Sequence, residues 1–189
     1  NGAGKTTVFN LLTKFLEPSA GRIYYRGDDI TTARPADIAR RGLVRSFQIS
    51  AVFPHLTVRE NVRIALQRPL GNSFHFWRAE RVLDPLNRRA DELLDAVGLA
   101  GLENRLASAL PYGRKRALEI ATTLALDPEM LLLDEPMSGL GQEDIGRISG
   151  LIRNAARDRT VLMVEHNLSV VADLSDTITV LTRGSILAE

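Results

Sequence analysis

The chain has 189 residues, 44% hydrophobic and 25% charged, with a formal net charge of +1. That length supports one globular domain with a real core, and a charge this balanced does not announce nucleic acid or an anionic membrane, partners that usually require a concentrated basic face, so local clusters must speak for themselves. There is no cysteine, which excludes disulfides and sulfur-ligated zinc, and no apolar run approaches the ~20 residues that span a bilayer.

In chain order, NGAGKTT at residues 1–7 is a glycine-rich turn that leads into Val8, Leu11, Leu12, Phe15 and Leu16, the spacing of an amphipathic helix ending near Pro18. GRIYYRG at 21–27 and LVRSFQ at 43–48 predict short strands, with a Pro-started helical turn at 35–41 between them. TVRE at 57–60 has the spacing of a capping box, and Val62, Ile64, Ala65 and Leu66 continue it as a helix. Further helices are predicted over 88–97 and 113–126, separated from the first by RPLGNSFHFWRAERVLDPLN, which reads as an irregular insertion. In it His75 sits among Phe74, Phe76 and Trp77; this cluster and His55 read as packing or surface residues. The rest alternates: EMLLLDE is a buried parallel strand, Ile145, Ile148, Leu151 and Ile152 mark a helix face, TVLMVE is a strand, 168–174 a short helix, and TITVLTRGSILAE two strands joined at Arg183-Gly184. The pattern is α/β, interrupted by a helical subdomain.

Two motifs carry chemistry. In NGAGKTT the backbone N–H groups of Gly2, Ala3, Gly4 and their neighbours Asn1 and Thr7 can close round phosphates at a helix start, with Lys5 reaching the terminal phosphates and the Thr6 hydroxyl free to ligate Mg²⁺. MLLLDEP at 130–136 supplies the second acidic site that such a loop needs: Asp134 to hold Mg²⁺ and Glu135 to polarise an attacking water. The implied reaction is in-line attack of water on the γ-phosphate of ATP. The full loop pattern G-x-x-x-x-G-K-[ST] starts before Asn1, so the chain is expected to be a piece of a longer subunit, and its end on Glu189 directly after a strand points the same way.

Three further elements narrow the class: Gln48 at the end of RSFQ, LPYGRKRALEIA at 110–121, and VEHN at 164–167 after the next strand. In this order and spacing, over essentially the whole chain, the sequence resembles the ATP-binding subunits of ABC transporters. The resemblance implies a P-loop NTPase core with a mostly parallel sheet, formed by 1–49 and 127–189, and an inserted helical subdomain at 50–126. It makes Gln48 the residue that senses Mg²⁺ and the membrane partner, His166 the histidine that touches the γ-phosphate, SGLG at 138–141 the D-loop, and Leu110, Pro111, Tyr112, Gly113 and Arg114 the signature that meets the nucleotide of an opposite subunit.

Two positions depart from the family pattern. Pro111 stands where the signature LSGGQ has its serine, with Tyr112 for the first glycine and Arg114 for the glutamine, so a hydroxyl is lost while the amides around Gly113 remain. Arg114, Lys115 and Arg116 crowd a helix N-terminus, where cations are unfavourable; a nearby phosphate would offset that, and a solvated charge run is the alternative. Gly141 stands where many members carry the D-loop aspartate.

The tyrosine-glycine signature, FPHLTVRENV and the long insertion resemble most the subgroup that serves branched-chain amino acid uptake. The resemblance implies ATP and Mg²⁺ as ligands, a second ATP-binding subunit, integral membrane permease subunits, an indirect link to a substrate-binding protein, no nucleic acid, and a peripheral place on the cytoplasmic face of the membrane. A non-hydrolysing nucleotide-binding regulatory module is opposed by the intact Lys5, Thr6, Asp134, Glu135 and His166. A non-transport ABC-type ATPase is opposed by the lack of a second ATPase domain or long coiled coil.

Overall fold

The structure is a computed structural model that describes residues 2–46, 52–67 and 84–189. Asn1, Gln48, His75 and the aromatic residues round His75 lie outside the described residues.

The glycine-rich turn runs into helix α1 (Lys5–Leu12), shorter than its apolar pattern predicts. The Thr13 hydroxyl bonds back to Phe9 O at 2.7 Å, Lys14 takes φ 64°, and its ammonium reaches Thr31 O at 2.5 Å, so the chain reverses here. Phe9 becomes the buried residue of the helix, and Phe15 and Leu16 are exposed.

GRIYYRG, expected as one strand, supplies strand β1 (Tyr24–Tyr25) and the turn of a hairpin with β2 (Asp28–Asp29). Arg26 and Gly27 both have positive φ, as a type I′ turn requires. Helix α2 (Pro35–Arg40), with its proline in the first turn, precedes β3 (Leu43–Arg45).

Helix α3 (Val58–Gln67) opens on the predicted capping box: Glu60 Oε2 accepts from the Thr57 amide at 2.6 Å, and Thr57 Oγ1 accepts from the Glu60 amide at 3.2 Å. Behind it Asn61 is buried and uses both ends of its amide, accepting from Phe53 N at 2.7 Å and donating to Phe53 O and Thr57 O at 3.1 and 2.8 Å. Helices α4 (Pro85–Ala96) and α5 (Tyr112–Leu124) follow, with a single 3-10 turn at Ala107–Ala109 between them that the sequence reading lacked. Helices α3, α4 and α5 pack on one another.

The chain then lays down β4 (Met130–Asp134), α6 (Gln142–Ala155), β5 (Thr160–Val164), α7 (Leu168–Leu174), and the hairpin β6 (Val180–Thr182) and β7 (Ser185–Ala188). Strands β3, β4 and β5 form a parallel sheet in that order, with Arg45 opposite Leu132 and Asp134 opposite Val164. Because side chains alternate between faces, Leu43, Arg45, Leu132 and Asp134 share one face, while Leu131 and Leu133 share the other. The first face meets Phe9, Ile30 and Ile38; the second joins the larger core of α3 to α6. β4 is thus buried on both faces, which is why its sequence reads as an unbroken apolar run that ends in charge.

Candidate active site

The parallel sheet delivers its functional residues at the C-terminal ends of β4 and β5, the end at which open α/β sheets bind ligands. At the other rim of that site stands the glycine-rich loop. Gly4 caps α1 with φ 97°, and an added Cβ there would lie 3.1 Å from Gly184 Cα, so the position demands glycine on two grounds. The close approach is tied by a hydrogen bond from Gly184 N to Ala3 O at 3.0 Å, which seats the β6–β7 turn against the loop. No side chain caps the N-terminus of α1, and the Lys5 ammonium and Thr6 hydroxyl have no hydrogen-bond or ion-pair partner among the described residues. The positive helix end and an unengaged ammonium together suit a polyphosphate.

Asp134 is 1% exposed. Its Oδ2 accepts from Arg45 at 2.6 Å, and Arg45 also donates to Asn10 Oδ1 at 2.6 Å and lies 5.4 Å from the centre of the Phe9 ring. Asn10 is one helical turn beyond Thr6 on the same face of α1, so the Thr6 side of that helix faces the acidic end of β4. Asp134 Oδ1 is buried without a hydrogen-bond partner among the described residues. A buried carboxylate oxygen left in this state is costly, and a hydrated divalent cation between Thr6 and Asp134 would satisfy it; the donor set is hard oxygen, as Mg²⁺ prefers. The sequence reading did not single out Arg45 or Asn10, whose roles come from pairing across the fold.

Glu135 takes φ 47°, a left-handed conformation that a residue with a side chain avoids unless neighbours impose it. Its N–H donates to Val164 O at 2.9 Å, and its Oε1 lies 2.6 Å from Nε2 of His166, which begins the turn after β5. The neighbouring Glu165 braces both turns: its carboxylate accepts from Met137 N at 2.7 Å, His166 N at 2.9 Å and Asn167 N at 3.3 Å. Asn167 then caps α7 by accepting from Ser169 N and Val170 N. Sequence reasoning missed Glu165, since a single acidic residue between a strand and a histidine does not show the three backbone amides that it accepts from.

The signature residues open α5. Leu110 is buried, Pro111 occupies the N-cap, and the Tyr112 hydroxyl donates to Ser138 O at 3.3 Å while its ring lies against Gly139 in the D-loop. Gly113 is buried so close to Asp144 that any Cβ would collide with the carboxylate. Arg114 is exposed, but Arg116, expected within a charge run near a helix start, is only 6% exposed and pairs with Glu119 at 2.6 Å. Gly141 caps α6 with open space round it.

A glycine-rich loop at the head of an uncapped helix, and an acidic pair closing a buried strand of a parallel sheet, are the arrangement of a P-loop nucleoside triphosphate hydrolase. Within that class the ABC transporter family model matches residues 1–138, and the chain belongs to the ABC transporter ATP-binding family. It is similar to the high-affinity branched-chain amino acid transport ATP-binding protein BraF of Pseudomonas aeruginosa, 38% identical over all of this chain and 77% of that protein. To LivG of Escherichia coli, which carries the same description, it is 39% identical over all of this chain and 76% of that protein. Among solved structures, the ADP conformation of MJ1267, an ATP-binding cassette of an ABC transporter, superposes with a TM-score of 0.82 at 31% identity, covering the whole chain and 76% of that cassette. The protein is an ATPase that serves transport.

Proposed function

We propose that this ATPase powers uptake of branched-chain or related amino acids, as one of two ATP-binding subunits seated on the cytoplasmic face of a membrane permease. The substrate assignment is supported by the likeness to BraF and LivG over the full chain, and the transporter role by the family. No helix among the described residues is long and apolar enough to cross a membrane, which fits a subunit that relies on others for the pore.

In this reading the amides of Asn1 to Thr7 and the Lys5 ammonium hold the phosphates of ATP. Bound between Thr6, Gln48 and Asp134, Mg²⁺ would neutralise charge on the β- and γ-phosphates. Arg45, bonded to both Asn10 and Asp134, holds the Asp134 carboxylate turned towards α1. Glu135 draws the proton from the attacking water, and His166 holds the carboxylate in place and lies next to the γ-phosphate. Leu110, Pro111, Tyr112, Gly113 and Arg114 face the ATP of the second subunit, where amides at the start of α5 replace the missing signature hydroxyl. Residues 50–126 act as the lever towards the permease, and 1–49 with 127–189 as the nucleotide-binding core.

The observation that carries the reading is the Glu135–His166 contact at 2.6 Å, set directly beyond the buried Asp134. The test is ATP turnover by the subunit assembled with its membrane partners, beside Glu135→Gln. Loss of the base is expected to lower turnover about a hundredfold or more, with ATP binding retained and leucine uptake into vesicles lost in parallel. Turnover unchanged by the substitution would remove Glu135 from the chemistry, and turnover without uptake of any branched-chain amino acid would remove the substrate assignment.

A further inference from the structure

We infer that Arg116 is a positioning residue for hydrolysis, fixing the turn that aims Glu135 and tying that turn to the signature helix of the same chain. The inference rests on Glu135 acting as the base.

Arg116 lies one turn into α5, on the same face as Tyr112. Its guanidinium crosses to the end of β4 and donates to three successive carbonyls: Nη2 to Asp134 O at 3.3 Å and Glu135 O at 3.0 Å, and Nε to Pro136 O at 3.2 Å. Nη1 is held by Glu119 Oε2 at 2.6 Å, and the two side chains are 6% and 7% exposed. A buried charged fork satisfied by a carboxylate and three backbone oxygens is a fixed object, because each lost bond would leave a polar group dry.

What it fixes is Glu135. Val164 O holds the amide of that residue and Arg116 holds its carbonyl, so both of its flanking peptide groups are clamped while φ stays at 47°. Without the fork the left-handed strain is released towards negative φ, and the carboxylate leaves His166. Tyr112 extends the same link, since its hydroxyl donates to Ser138 O just beyond the turn. Helix α5 therefore touches the catalytic turn at two points, and any shift of the signature when it meets nucleotide is delivered to Glu135 within one chain.

Lysine keeps the charge and the aliphatic stem of arginine, yet one ammonium cannot reproduce a planar fork that spans three carbonyls and a carboxylate. Arg116→Lys in the assembled transporter ATPase is expected to lower kcat about tenfold to a hundredfold, to leave the Kd for ATP within about twofold, and to lower the melting temperature by several degrees while leaving the protein folded at the assay temperature. In a Glu135→Asp background, where the carboxylate is already displaced, the same substitution is expected to reduce kcat far less. Wild-type kcat in Arg116→Lys would overturn the inference, because charge and stem alone would then suffice. So would a loss that multiplies fully with Glu135→Asp, or one matched by an equal loss of ATP affinity, either of which marks Arg116 as packing. If Glu135→Gln itself leaves turnover intact, the assignment of the base fails instead, and the two failures are told apart within one set of variants.

Discussion

At the scale of single residues, the site is governed by charges placed where water cannot reach them. The Arg45–Asp134 pair has side chains 9% and 1% exposed, whereas Arg153 and Asp173, also in ion-pair contact, are more than half exposed. A surface pair of that kind adds little, because solvent screens it and two long side chains must be ordered to form it. Breaking a buried pair from one side leaves an uncompensated charge in a low dielectric, at a cost of about 3–5 kcal/mol. Arg45→Met is therefore expected to lower unfolding stability in denaturant by about that amount, and pairing it with Asp134→Asn should recover much of the loss. A single variant as stable as the parent would show that Asp134 finds another partner. Neither Arg45 nor Glu165 could be read as important from the chain, because their meaning lies in partners 89 and 28 positions away. Asp134 and Glu135 stand out in the sequence because an acidic pair closes an apolar run in a chain that opens on a glycine-rich GKT turn, and His166 stands out only through the resemblance of VEHN to a family motif; their roles are those proposed above.

At the scale of elements, local chemistry and tertiary packing divide the outcome between them. The capping box of α3 is wholly local, and it was readable from four residues. The Thr57 amide, and then the Thr57 hydroxyl, hold the Glu60 carboxyl below its ordinary range. A depressed carboxylate contributes its stability fully above the unfolded value near 4.3 and loses it as the pH falls through the lower folded value. Glu60→Gln keeps an acceptor for the amide but removes the titration, so protection of the first turn of α3 should become independent of pH below about 4.3, as read by amide exchange across that range. Persistence of the parent's acid dependence in the variant would assign it to another group. Helix α1 shows the opposite case. Its apolar spacing runs on to Leu16, yet the helix stops at Leu12 because Lys14 reaches across to Thr31 and Thr13 bonds backwards. The Arg-Gly pair made a turn at 183–184, as expected, and made the same turn at 26–27, where the flanking tyrosines suggested a continuous strand. Two-residue signals of this kind are ambiguous until a partner strand is seen.

At the scale of the molecule, stability is distributed unevenly, and the distribution follows the sheet. Leu131, Leu132 and Leu133 have no exposed surface and are enclosed between the two clusters. The β6–β7 hairpin is held to the loop by the Gly184–Ala3 bond, while Ile186 and Leu187 are 66% and 69% exposed and every residue of β7 faces solvent. A two-stranded hairpin is marginal when it buries little, and regions poor in buried contacts open without global unfolding. Native-state hydrogen exchange is expected to place the amides of 131–133 at the global unfolding limit and those of 180–188 far below it, with exchange of the Gly184 amide slowing when ATP occupies the loop it is bonded to. Uniform protection across both segments would mean that the hairpin and the central strand unfold as one unit. Unequal protection, with Gly184 alone in its hairpin responding to nucleotide, would make the turn a reporter of loop occupancy that sits apart from Asp134, Glu135 and His166.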